Sequence, residues 1–134
     1  MSELFKLGKV KLETEIVNLS YRITKEKKNE LRVGIVEFEL RKPISPGDEL
    51  RDTVKLIKAF IKEFLPETDI VMISGRGPIW MYAMLTHELV HVCRAFAVFD
   101  PKLGGGVLVS IHTYDLPYNV GDVIEIEESK ELVQ

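Results

Sequence analysis

The stretch Asp69-Ile70-Val71-Met72-Ile73-Ser74 limits the possible folds most sharply. It is short and continuously apolar, the pattern of a strand buried on both faces. It runs directly into Ser74-Gly75-Arg76-Gly77-Pro78-Ile79-Trp80 and then into an apolar, helix-like segment reaching about Val92. A buried strand that turns sharply into a helix belongs to an α/β arrangement. The turn itself holds two glycines, a Ser hydroxyl and one Arg, and ends on a Pro suited to the first helical position. Such a loop can cradle an anion on freed backbone N–H groups, with Arg76 gripping oxygens bidentately. The same residues equally suit a tight β-to-α turn with an exposed Arg.

The flanking segments extend this pattern. Residues 9–17 alternate, with Val10, Leu12, Thr14 and Ile16 on one face and Lys11, Glu13 and Glu15 on the other, and residues 20–24 form a short partner strand. Thr24 to Glu30 reads as a solvated, charged turn. Leu31 to Leu40 reads as a strand whose Val33, Ile35, Phe38 and Leu40 imply a bulge or phase change. After Pro43, Pro46 and Gly47, with Ser45 or Asp48 as cap, Leu50, Val54, Ile57, Ile61 and Phe64 recur at helical spacing until Pro66. Lys55, Lys58 and Lys62 mark the wet face of that helix. Arg94 to Asp100 is a second buried strand, residues 101–106 (PKLGGG) a turn, Val107 to Ile111 a strand, and Val123 to Ile126 a last alternating strand.

This rhythm predicts one α/β sandwich over residues 1–134. Residues 1–45 supply N-terminal strands, 48–65 a helix, and 69–127 the half that carries candidate chemistry. The simplest topology is ferredoxin-like: a mixed sheet, two main helices on one face, and an extra N-terminal strand or hairpin.

At 134 residues and a net charge of −3, the chain lacks the basic excess of a domain that grips long nucleic acid, while a small anionic ligand remains compatible. The single Cys93 excludes an intrachain disulfide framework and reads as a buried thiol in a reducing compartment. The charged N-terminus does not read as a signal peptide, and no apolar run reaches membrane-spanning length, so a cytoplasmic protein is expected.

Chemistry concentrates in the second half. His87 and His91 follow the glycine loop, Asp100 ends a strand immediately before a Pro, and His112 ends the next strand. Were the two strand ends side by side, Asp100 and His112 would meet at one sheet edge and a helix histidine would join them, a set suited to manganese, iron or zinc. Taken singly, each histidine is more simply a polar residue at an element boundary. His87-Glu88-Leu89-Val90-His91 also matches H-E-x-x-H, the zinc-protease helix. That pattern is short enough to arise by chance, and a protease needs a third ligand downstream.

SGRGPIW, a His-bearing helix, FAVFDPKLGGGVLVSIH and GDVIEI, in that order over about residues 70–127, resemble the small CRISPR-associated ring nucleases with a ferredoxin-like fold. Those proteins are manganese-dependent and degrade cyclic tetra-adenylate, the second messenger of type III CRISPR defence. The resemblance implies ligand contact by Ser74, Gly75, Arg76, Gly77 and Pro78. It implies a manganese or other divalent metal on His91, Asp100 and His112, with His87 as the alternative to His91. His91, Asp100 and Lys102 would be catalytic, Lys102 standing where the family usually has Arg. A four-fold ring further implies a homodimer or a dimer of dimers. A protein that only binds and sequesters the ring is the other reading.

Overall fold

The protein is described by a computed structural model over residues 9–127; residues 1–8 and 128–134 of the expected single domain lie outside the described residues. Seven strands form one sheet in chain order: β1 (Lys9–Glu13), β2 (Val17–Lys25), β3 (Arg32–Leu40), β4 (Ile70–Arg76), β5 (Ala95–Asp100), β6 (Gly105–Ile111) and β7 (Val123–Glu125). Helix α1 (Asp48–Lys62) links β3 to β4, and α2 (Ile79–Leu89) links β4 to β5. These two pairs are parallel and the other four antiparallel. Successive right-handed crossovers moving one way across a sheet place both helices on the same face. Accordingly Val54, Ile57 and Ile61 of α1 share a buried cluster with Met81, Leu85 and Leu89 of α2 and with Val36, Phe38, Val71, Ile73 and Phe96 of the sheet.

The expectation of an α/β chain with two helices on one face and an additional N-terminal hairpin therefore holds. The ferredoxin-like order is not what the sheet displays. A split β-α-β unit leaves room for another strand between the two that a helix joins, whereas β3, β4 and β5 are immediate neighbours.

The opposite face has its own cover, which is why β4 is apolar throughout. Val33, Ile35, Ile70, Met72, Ala95, Ala97 and Phe99 pack against Leu108, Ile124 and Ile126 from β6 and the end of β7. The sheet curls back on itself to do this, and a bridge between Glu26 and Ile126 ties the β7 end to the β2–β3 hairpin. Opposite Phe96 and Ala97 the pairing skips Val109, a bulge that bends β6 where the curl begins. Gly106 lets β6 lie directly on Met72, since a Cβ there would stand 2.7 Å from the Met72 methyl. Gly105 and Gly106 are therefore strand residues. The turn expected over 101–106 is confined to 101–104, where the Asp100 carboxylate accepts the Lys102 N–H at 2.9 Å.

Three further expectations change. β3 pairs with both neighbours without a break, so it carries no bulge: Val33 and Ile35 face one core and Val36 and Phe38 the other. The alternation of residues 9–17 is split by a turn at Thr14, whose hydroxyl accepts the Val17 N–H at 2.9 Å and donates to its carbonyl at 2.7 Å. Neither Ser45 nor Asp48 caps α1. Gly47 holds that position, and the Glu49 carboxylate reaches back to the Ser45 N–H at 2.8 Å. After α1, Leu65–Glu67 make one 3-10 turn around Pro66, and Phe64 stacks on Tyr21 with ring centroids 3.9 Å apart. Cys93 is buried as expected, which pushes its thiol up to about 12. Among the described residues, no helix is long and apolar enough to cross a membrane.

Candidate functional site

The glycine loop lies at the C-terminal edge of two adjacent parallel strands, the usual place for ligands in α/β sheets. β4 continues through Gly75 to Arg76, and Pro78 caps α2, which opens at Ile79 with no side-chain cap. Ile73 pairs with Val98, so continuing that register sets Asp100 level with Gly75. Arg76, Asp100 and Lys102 thus occupy one edge of the sheet, with Arg76 and Lys102 exposed. Ser74 is buried just behind them.

Both glycines have structural work. A Cβ on Gly75 would lie 2.5 Å from the Phe38 carbonyl oxygen and 2.7 Å from its ring, and one on Gly77 would lie 3.1 Å from the same ring. The Tyr82 hydroxyl, from the second turn of α2, donates to the Gly75 carbonyl and pins the loop to the helix. Burial raises the Tyr82 pKa and keeps this hydroxyl a donor.

The face of β1–β4 away from the helices is only partly covered by the curl. Where it is open, two rows of polar side chains cross it. Strand pairing aligns Glu13, Asn18, Glu39 and Arg76 in one row. It aligns Lys11, Ser20, Glu37 and Ser74 in the next. All of these but the buried Ser74 line a cleft of about 630 Å³ that ends at Gly75 and Arg76. These row residues of β1, β2 and β3 carry no motif; their only signal in the sequence is polar alternation within three strands, which also describes a solvated face.

The histidines lie elsewhere. β5 and β6 are antiparallel, with Asp100 opposite Gly105 and Ala95 opposite Ile111. His112, whose N–H bonds the Arg94 carbonyl, therefore sits past the end of β5 remote from Asp100, roughly 20 Å away along the strand at 3.3 Å per residue. The strand ends expected to lie side by side are opposite ends of the pair, because a tight turn joins β5 to β6. His112 meets His91 instead, with ring centroids 5.3 Å apart. Their edge is braced by Arg94, which binds Asp69 at 3.0 Å and both Asp115 oxygens at 2.7 Å, while its carbonyl accepts the His112 N–H at 2.7 Å. Among the described residues, no group of three or more His, Cys, Asp or Glu side chains comes together to hold a metal ion. Within one chain, His91, Asp100 and His112 do not fit a common ion.

The H-E-x-x-H pattern is also dispersed. α2 ends at Leu89, so His91 falls past its C-cap while the exposed His87 remains on the last turn. Glu88 pairs with Lys58 of α1 at 3.2 Å, which also removes Lys58 from the purely wet face assigned to it. This half-exposed pair has a small expected energy. Glu88→Gln should change the unfolding free energy by no more than about 0.5 kcal/mol in urea titration. A larger loss, or loss of a bound metal, would restore a role to Glu88.

The family model of the CRISPR-associated protein Cas_csx3 matches residues 38–125. The chain belongs to this family. The match runs from Phe38 through the glycine loop, Asp100 and His112 to the last strand, leaving β1, β2 and most of β3 outside it. An uncharacterised protein of Aquifex aeolicus (strain VF5) is 38% identical over 122 residues, which span 88% of this chain and 96% of that protein. That similarity extends beyond the Cas_csx3 match. No solved structure matches the chain.

Proposed function

We propose that this Cas_csx3 family member is a cytoplasmic ring nuclease that binds and cleaves a cyclic oligoadenylate, cyclic tetra-adenylate in particular, within type III CRISPR defence. The observation that carries the reading is the placement of Arg76, Asp100 and Lys102 at the same C-terminal edge of β4 and β5, with a loop between β4 and α2 pinned by Tyr82. Arg76 suits a phosphate by its planar fork, and Lys102 adds a second positive charge. The loop segment Ser74–Pro78 supplies backbone to the same ligand. Cleavage of the ring is attack by a ribose 2′-hydroxyl or a water on phosphorus, in which positioning and charge neutralisation dominate.

Asp100 and Lys102 lie at one edge and His91 and His112 at the other. A site using all four takes them from different copies of the chain, which accords with a homodimer or a dimer of dimers around the ring. Manganese or another divalent ion would find His91, Asp100 and His112 only in such an assembly. The same separation favours the second reading, a protein that binds the ring and sequesters it without cleavage.

Incubating purified protein with labelled cyclic tetra-adenylate, with and without manganese, separates the readings. Linear products appearing with turnover support the nuclease; an intact ring at stoichiometric protein, tightly bound, supports sequestration. Arg76→Ala should weaken ring binding at least about ten-fold in either case, from the loss of one charge-assisted bidentate contact. Undiminished binding by this variant would remove the loop from the ligand site.

A further inference from the structure

We propose that the open cleft across β1–β4 receives the base of a 6-aminopurine nucleotide whose phosphate is held at Arg76. The inference rests on the ring-binding reading above and assigns its base-recognition site. The two polar rows described above carry three carboxylates, Glu13, Glu37 and Glu39, against two cations, Lys11 and Arg76. Since Arg76 stands at the rim, the interior is rich in acceptors and repels phosphate. It suits a group that donates.

The exocyclic amine of adenine is such a group, and its ring nitrogens accept from Ser20, Lys11 or an amide. Asn18, at the centre of its row, offers donor and acceptor on one side chain, the pairing that reads adenine bidentately in other settings. Its Oδ1 is enclosed and has no hydrogen-bond partner among the described residues. An enclosed acceptor left unpaired is costly, and turning the Asn18 amide toward the cleft would let a base amine pair it.

The spacing also fits. Glu39 lies directly beside Arg76 and Asn18 directly beside Glu39. At about 4.8 Å per strand, they stand one and two strand spacings from the phosphate grip, within the reach of a nucleotide from phosphate to base. The cleft volume of about 630 Å³ lies within the range of small-ligand sites. Asn18, Ser20, Lys11 and Glu13 come from strands outside the Cas_csx3 match, so this subsite would be built largely by the N-terminal hairpin.

Calorimetric titration of the full chain with cyclic tetra-adenylate and with its inosine counterpart tests the proposal. Inosine replaces the donating amine by an accepting oxygen, which would face carboxylates. Wild-type protein should bind the adenine ring at least about ten-fold more tightly, the lower end of discrimination by a good bidentate pair. Asn18→Ala and the near-isosteric Glu37→Gln should each shrink that ratio to below about three-fold by weakening the adenine ring alone. Arg76→Ala should weaken both rings alike and leave the ratio in place. Equal wild-type affinities, or a ratio unmoved in both cleft variants, would overturn the subsite while leaving the ring-binding reading intact. Binding of neither ring overturns both.

Discussion

Glu26→Ala is expected to lower the unfolding free energy by about 3 kcal/mol, at roughly 1 kcal/mol for each hydrogen bond deprived of its acceptor. Glu26 is 1% exposed. Its Oε2 accepts the Tyr118 hydroxyl at 2.5 Å and the Lys28 N–H at 3.1 Å, and its Oε1 accepts the Asn29 N–H. Asn29 in turn donates to the Tyr118 oxygen at 3.1 Å. This knot fastens the β2–β3 turn to the segment before β7 and so holds the curl of the sheet closed. Glu26→Gln should cost less, because its remaining carbonyl oxygen still accepts. Urea denaturation of the two variants checks the order; a loss below about 0.5 kcal/mol for Glu26→Ala would show that the curl is held by its apolar core alone.

The knot also predicts a pH dependence. Burial by itself would raise the Glu26 carboxyl, but hydrogen bonds from Tyr118 and from the Lys28, Asn29 and Leu31 backbones outweigh it and hold the pKa below the ordinary value near 4.5. A carboxyl depressed in the folded state contributes its stability above its unfolded pKa and loses it as pH falls through the folded one. Wild-type protein should therefore lose more stability than Glu26→Gln as the pH drops below about 4.5. Parallel acid profiles would remove the charge from the account.

Gly75→Ala is the second substitution with a large expected effect. The added carbon would meet the Phe38 carbonyl oxygen, and backbone paired across β3 and β4 cannot step aside as a flexible side chain can. Overpacking of this kind costs about 1–3 kcal/mol. The functional loss should be larger than that figure implies, because the same shift moves Arg76 and loosens the Tyr82 bond to the Gly75 carbonyl. On the ring-binding proposal, ring affinity should fall at least about ten-fold, while Gly77→Ala, facing the Phe38 ring edge and the flexible Met81 sulfur, should be milder. Wild-type stability and ring binding in Gly75→Ala would show that the loop tolerates a side chain and that its glycines are incidental.

Much of the architecture was legible from local pattern. The run from Ile70 to Ser74 has no polar face, so cover on both sides follows from the chain alone, and α1 follows from apolar residues at helical spacing. Glu26 was not legible. It sits in Thr24-Lys25-Glu26-Lys27-Lys28-Asn29-Glu30, a composition that signals exposure, and its burial depends on Tyr118, which arrives only when β7 bridges to the hairpin. The phase of β3 was misread for a related reason. Both its faces are apolar because two cores meet it, and alternation cannot distinguish that from a bulge.

The candidate site divides along the same line. Residue types and strand ends can be read from the chain alone: the Ser74–Trp80 loop, Asp100 before its Pro, and the three histidines. The sequence also carried enough of the Cas_csx3 pattern to place the chain in a CRISPR-associated family. Which of these residues are neighbours depends on how the strands pair. A strand end has two possible edges, and the edge depends on the direction of the partner strand, which no local periodicity encodes. The parallel pairing of β4 and β5 set Arg76 and Asp100 at the same end of the sheet. The antiparallel turn into β6 carried His112 to the far edge, against His91, and the open face of the N-terminal hairpin brought Asn18 and Glu39 into one row with Arg76.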